Sequence, residues 1–196
     1  MSAIRLIVGL GNPGPHYEFT RHNVGARFVR ALADRFGIPL AAEAKFKGEL
    51  GRGQIADHDV RLLLPTTFMN LSGESVGAVA HFYKITAAEI LIAHDEVAFA
   101  PGVVRIKTAG GTNGHNGIRS VIAGLGNDRG FHRLRIGVGH PGDKDLVTAY
   151  LTSVRPPESE RGLVEAACDF TEPFIGDLLD ADMHKVMNQL HAPGED

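Results

Sequence analysis

Two kinds of side chain in this sequence suit chemistry on a water molecule: a His–Asp pair, His22 and Asp95, which could activate it, and the amides Asn12, Asn70 and Asn116, which could hold it. His22 closes a Gly- and Pro-rich stretch, Leu10–Arg21, and opens a helical pattern. A helix N-terminus disfavours imidazolium and keeps a ring placed there basic near neutral pH. A carboxylate partner acts the other way: it orients the ring and stabilises the imidazolium formed when the base takes a proton. Asp95, just after the apolar run Ile90–Ala93, is the candidate partner. Its competing reading is an ordinary loop or cap carboxylate, and on the residues alone the two stand level. Each amide offers donor and acceptor at one point, which suits holding a water beside a carbonyl oxygen. Each is equally a turn or cap residue, Asn12 before Pro13 above all.

Other patterns point to different chemistry and are weaker. Gly9-x-Gly11-x-x-Gly14 matches a dinucleotide-binding fingerprint. However, Pro15 and further loop residues separate it from the next helix, and no acidic strand end follows at the required distance. Gly73-Glu-Ser75-Val-Gly77 matches a nucleophile elbow. Ser75 falls inside a helical pattern with Val76, Val79 and Phe82, whereas the elbow needs a strand-to-helix turn at the serine. Cys168 is the only cysteine and sits among acidic residues, so it reads as a packed helix residue. The ten histidines form no zinc-type spacing, so no zinc site is expected, and with the glycine fingerprint read as a turn-forming loop no cofactor is expected either. Without a Ser or Cys nucleophile, hydrolysis would fall to an activated water.

The elements that must position these groups alternate between strand and helix. Ile4–Val8 reads as a buried strand and His22–Phe36 as a helix stopped by Gly37. Lys45–Ile55 and Val60–Leu64 read as strands around a turn at Asp57-His58-Asp59, with Pro65 breaking the second. A helix follows over Gly73–Tyr83 with Ser72 as its N-cap. Ile90–Ala93, Val103–Lys107 and Phe131–Val138 read as strands, with a Gly-rich loop and a helix over Asn116–Leu125 between the last two. Pro156–Pro157 marks a hinge before an acidic helical tail. The expected architecture is a single α/β domain over residues 1–196, a three-layer αβα sandwich with a twisted, mostly parallel mixed sheet and a helical C-terminal tail. In such sheets ligands bind beyond the carboxyl ends of the strands. If the strands are parallel, Asn12, His22, Met69, Asn70, Asp95, Asn113, His115 and Asn116 converge on one edge.

The totals fit one domain of 196 residues with a net charge of −3. Charge is uneven: residues 104–144 carry seven Lys and Arg against two Asp and Glu, and residues 155–196 carry three against ten. A locally basic region on a mildly acidic chain suits an anionic ligand docked at one place. No apolar run spans a membrane, and Arg5 interrupts the layout of a signal peptide, so a cytoplasmic protein is expected.

Tyr17-x-x-Thr20-Arg-His22-Asn23-x-Gly25 and Gly111-x-x-x-His115-Asn116-Gly117 resemble the two signature segments of bacterial-type peptidyl-tRNA hydrolases. Val8–Gly14, Pro65–Gly73, His94-Asp95-Glu96 and His132–Gly137 are similar to the family's other motifs, in the same order and across nearly the whole chain. The resemblance implies a metal-free, generally monomeric enzyme with no membrane partner. Its substrate is the ester joining a peptide to the terminal ribose of tRNA. It implies His22 with Asp95 as general base, Asn12 and Asn70 on the substrate and oxyanion, and Asn116 on water or peptide backbone. Met69 and Tyr17 would line a peptide groove with His115 beside it, and Lys107 and Arg135 would grip the 5′-phosphate and acceptor stem. Three positions depart from the family pattern: Asn113 replaces a usual glycine, Ala98 replaces an aspartate, and Pro173 falls within the tail helix. The competing function is a catalytically silent RNA-binding or splicing partner of the same fold. A nucleotide-binding oxidoreductase is the weaker alternative.

Overall fold

The computed structural model describes residues 2–191. Strands β1 (Leu6–Gly9), β2 (Ala41–Glu43), β3 (Gly48–Ile55), β4 (His58–Pro65), β5 (Ile90–Glu96), β6 (Val104–Thr108) and β7 (His132–Gly137) form one sheet, in the order β2-β3-β4-β1-β5-β7-β6. The central strands β4, β1, β5 and β7 are parallel, while β3 and β6 run antiparallel to their neighbours. The centre is buried on both faces, so its strands read as unbroken apolar runs rather than alternating ones. Leu6 and Val8 face one layer, with α2 (Ser72–Tyr83) and α3 (Asn116–Gly124). Ile7 faces the other, with α1 (Val24–Arg35) and the C-terminal helices α6 (Glu172–Leu179) and α7 (Met183–His191). The three-layer mixed sandwich expected from the sequence is the fold observed.

The structure corrects several boundaries. The strand expected from Lys45 begins only at Gly48, because Ala44–Phe46 is a 3-10 turn, and a short strand β2 precedes it. The hairpin turn is Ala56-Asp57, both at positive φ, and His58 and Asp59 already belong to β4. A two-residue turn with two positive φ values matches the twist of the flanking strands. Pro65 ends β4 and pairs with Gly48 rather than breaking the strand. Ser72 is not an N-cap: it is the first residue of α2, after Leu71, and its hydroxyl donates to the Met69 carbonyl at 2.7 Å. Pro173 occupies the first turn of α6, where its missing N–H costs nothing, and α5 (Glu158–Ala167) is a separate helix. The tail's last residues, 192–196, lie outside those described.

The largest correction concerns β6. Its start pairs with the end of β7, Val104 with Ile136, and its end with the start of β7, Thr108 with His132. Residues 97–103, between β5 and β6, are too few for the crossover a parallel pair needs, so β6 must set out from the edge where β5 ended. The loop 109–115 then returns along the sheet toward that edge. Arg133 on β7 holds this loop, donating to the carbonyls of Gly110 and Gly111.

The tail closes over the start of α1. Arg21 is buried and its guanidinium meets Glu160 of α5 through two contacts of 2.9 and 3.0 Å, with its plane 3.8 Å from the Tyr150 ring centre. Tyr150 belongs to α4 (Val147–Thr152), a short helix not expected from the sequence. Among the described residues no helix is long and apolar enough to cross a membrane.

Candidate active site

The site forms where β1, β4 and β5 end. His22 lies in a 3-10 turn, Arg21–Asn23, that leads into α1. Gly25, one turn on, allows the helix to touch the sheet, since a Cβ there would collide with the Ala93 carbonyl on β5. That close approach brings His22 Nδ1 to 2.8 Å from Asp95 Oδ2. Asp95 is the sixth residue of β5, within the strand rather than beyond it, and is 2% exposed. Its other oxygen, Oδ1, stands 2.7 Å from His115 Nε2. His115 is the N-cap of α3: its Nδ1 accepts the backbone N–H groups of Gly117 and Ile118 at 3.1 and 3.3 Å. An accepting Nδ1 fixes the tautomer, so Nε2 carries the proton donated to Asp95.

Asp95 therefore accepts from two imidazoles. Burial alone would raise its pKa, but the two histidines hold it well below the usual carboxylate range. For His22, burial disfavours the charged ring, yet the charge and hydrogen bond of Asp95 outweigh it and raise the pKa above the ordinary value. The carboxylate thus prevails over any helix N-terminal effect. With Nδ1 committed, Nε2 is the nitrogen left for a substrate or water. His94 lies on the other side of His115, ring centres 4.9 Å apart, and burial drives its pKa down to about 3. Its neutral ring donates through Nδ1 to the Asp95 carbonyl at 2.8 Å.

Asn12 is held by a reciprocal pair. Its backbone N–H donates to Asn23 Oδ1 at 2.8 Å, and Asn23 Nδ2 donates back to the Asn12 carbonyl at 2.9 Å. Asn12 Oδ1 accepts the backbone N–H of Met69 at 2.8 Å, which fixes the amide orientation and leaves the Nδ2 donors uncommitted among the described residues. Asn12, His22, Met69, Asn70, Asp95, His115 and Asn116 all line one cavity of about 630 Å³. Asn70 and Asn116 are exposed on its rim, and Met69 is a buried wall whose sulfur packs where a side chain on Gly117 would stand. Tyr17 does not line the cavity. Its ring meets Phe68 edge-on at 6.4 Å between centres, and Phe68 is the exposed aromatic that does. Helix α4 supplies the roof through Val147, Thr148, Leu151 and Thr152.

Lys107 and Arg135 are not in this cavity. With His94, Glu96, Arg133 and the 111–113 loop they line a second one of about 270 Å³. Arg135 Nη2 and Nε meet Glu96 Oε1 at 2.8 and 3.1 Å, and its guanidinium lies 4.6 Å from the Phe99 ring centre. Lys107 is exposed. A third cavity, about 610 Å³, lies between α1 and α5 and holds none of the predicted residues. His22, Asp95 and His115 bring ligand-type atoms within 4.8 Å of one another. A cation among them would require both ring nitrogens to lose their protons and both hydrogen bonds to Asp95 to break.

A family profile described as peptidyl-tRNA hydrolase matches residues 6–196. Among relatives, a peptidyl-tRNA hydrolase of Pectobacterium carotovorum is 53% identical over 98% of both chains, and one of Azotobacter vinelandii is 50% identical over 98% of both. The chain belongs to the peptidyl-tRNA hydrolase family. The crystal structure of the peptidyl-tRNA hydrolase from Acinetobacter baumannii superposes with a TM-score of 0.92 at 49% identity, covering 98% of this chain and 96% of that one. The family expected from the motifs is thus the family found.

The places of Asn23, Glu96, Arg133 and α4 around these cavities were not foreseen from the sequence. Asn23 had a signal, its place beside His22, but an asparagine there reads as a turn residue until its partner Asn12 is seen. Ser75 is fully buried within α2 and its hydroxyl has no hydrogen-bond partner among the described residues, so it is no elbow nucleophile. Cys168 is inert for a reason other than its acidic neighbours: burial pushes its thiol up to about 12.

Proposed function

We propose that this protein hydrolyses the ester between a peptide and the terminal ribose of tRNA, using a water activated by His22. The observation that carries the reading is the double acceptance by Asp95, which anchors His22 through Nδ1 and leaves Nε2 as the free base beside the cavity. In this reading His22 Nε2 takes a proton from water as the water oxygen attacks the ester carbonyl. Asp95 stabilises the imidazolium without itself being protonated. The oxyanion that develops meets the Nδ2 donors of Asn12, which are oriented in advance because the Met69 N–H occupies Oδ1. As the C–O bond breaks, the imidazolium returns its proton to the ribose oxygen. The products are a peptide acid and a free tRNA.

Asn70 and Asn116 on the rim are suited to the ester end and the peptide backbone, Asn116 also to the water. Met69 and the Phe68–Tyr17 pair make the apolar side of the peptide groove, with His115 as the partner that holds Asp95 from behind. Lys107 and Arg135, in the adjoining cationic cavity, are the grips for the 5′-phosphate and acceptor stem. Such contacts add affinity without reading sequence, as an enzyme for many tRNAs requires. The reading needs one copy of the chain, no metal and no cofactor, and places the reaction in the cytoplasm. It is tested by release of labelled peptide from N-acetyl-aminoacyl-tRNA, with tRNA binding measured in parallel. Catalytic release with multiple turnovers is expected. Binding without release would leave a silent RNA-binding protein of this fold.

A further inference from the structure

Two residues line both the catalytic cavity and the cationic one: Glu96 and Asn113. They are bonded to each other, Asn113 Nδ2 lying 3.2 Å from both carboxylate oxygens of Glu96. Together they form the partition between the two sites. Glu96 follows Asp95 on β5, and its side chain is only 6% exposed. Asn113 stands two residues before His115, at a φ of 48°. The strand end and the loop are therefore laced twice, by Asp95 to His115 and by Glu96 to Asn113.

We propose that Asn113 is a positioning residue for substrate phosphate: acting through Glu96, its amide sets Arg135 in the cationic cavity and fixes the loop on which that cavity closes. That role rests on Arg135 being the phosphate grip proposed above. Glu96 Oε1 receives Arg135 through both Nε and Nη2 and also receives Asn113. A nearly buried carboxylate with these donors has one low-energy orientation, which holds the guanidinium plane against Phe99 and leaves Nη1 uncommitted. Without the Asn113 amide, Glu96 keeps Arg135 as its only side-chain partner among the described residues, with the Ala98 backbone N–H at 3.5 Å from Oε2, and the carboxylate and its guanidinium are held less firmly. The loop 109–114 also loses its one side-chain tie to β5, retaining the hold of Arg133 on the Gly110 and Gly111 carbonyls. The charges facing the cavity are unchanged, so the consequence is misplacement of a phosphate grip rather than loss of it.

The test is the ratio of kcat/KM for N-acetyl-aminoacyl-tRNA carrying a 5′-phosphate to that for the same substrate dephosphorylated. It is measured in the natural protein, Asn113→Gly, Asn113→Asp and Lys107→Ala. Glycine accepts the positive φ, so Asn113→Gly removes the amide without straining the loop. The ratio is expected to fall about fivefold in Asn113→Gly, the size of one lost hydrogen bond, with the loss in KM rather than kcat. It should fall further in Asn113→Asp, which sets a second carboxylate against Glu96. An undiminished ratio in Asn113→Gly, with a reduced ratio in Lys107→Ala, overturns the proposal while the phosphate reading stands. A ratio of one in the natural protein, or one that Lys107→Ala leaves intact, overturns both.

Discussion

Asn12 Oδ1 accepts the backbone N–H of Met69 at 2.8 Å, so the amide that faces the cleft has its acceptor spent and its donors free. The loop after β1 and the turn after β4 are thereby joined at the place where an oxyanion would form. Asn12→Asp keeps the acceptor for Met69 but removes both donors. It is expected to lower kcat by about 10²–10³, the usual effect of one lost oxyanion donor, with a smaller change in KM. Steady-state kinetics on peptidyl-tRNA check this; a change confined to KM would place Asn12 on the ground state instead.

The pH profile reports the His22–Asp95 pair. Only neutral His22 can act as a base, and Asp95 raises the pKa of His22. The rate kcat/KM should therefore rise with pH through a midpoint above the ordinary histidine value of about 6.5. Asp95→Asn removes the charge that raises it, so the midpoint should move down even as the maximal rate drops. A midpoint unmoved by Asp95→Asn would mean that another group titrates.

Much of this arrangement was readable in the sequence because the candidate groups stand close to element ends. Apolar runs buried on both faces announce central parallel strands; Asn12 and Asp95 come just after such runs, and His22 opens the first helical pattern. What could not be read depends on contacts between segments far apart in the chain. Asn23 looks like any turn asparagine until the Asn12 loop is brought against it. Helix α4 is six residues long, too short for periodicity to show, yet it roofs the cavity. The strand read over 103–107 is found at 104–108, but only the shortness of the segment before it reveals that it runs antiparallel. The loop 109–115 consequently reaches the site by doubling back.

Lys107 and Arg135 share a cavity apart from the reacting groups. Lys107→Ala and Arg135→Ala should weaken tRNA binding and reduce its salt dependence by about one counterion each, with little effect on kcat. Binding measured across a salt series checks this. Unchanged slopes in both variants would move the phosphate contact elsewhere on the surface.

Ser75 lies inside α2, its hydroxyl buried without a partner among the described residues. Ser75→Ala should retain full activity and melt at the same temperature or higher, because an unpaired buried hydroxyl costs stability. A folded but inactive Ser75→Ala would restore the Gly73–Gly77 segment as a nucleophile elbow.

The central claim is that His22 Nε2 is the base. Its most direct test is release of labelled peptide from N-acetyl-aminoacyl-tRNA by the natural protein and by His22→Ala, each with and without EDTA, together with tRNA affinity. Turnover should survive EDTA and fall by at least about 10²-fold in His22→Ala while tRNA affinity is kept. Turnover lost to EDTA, or a folded His22→Ala that remains active, would contradict that claim.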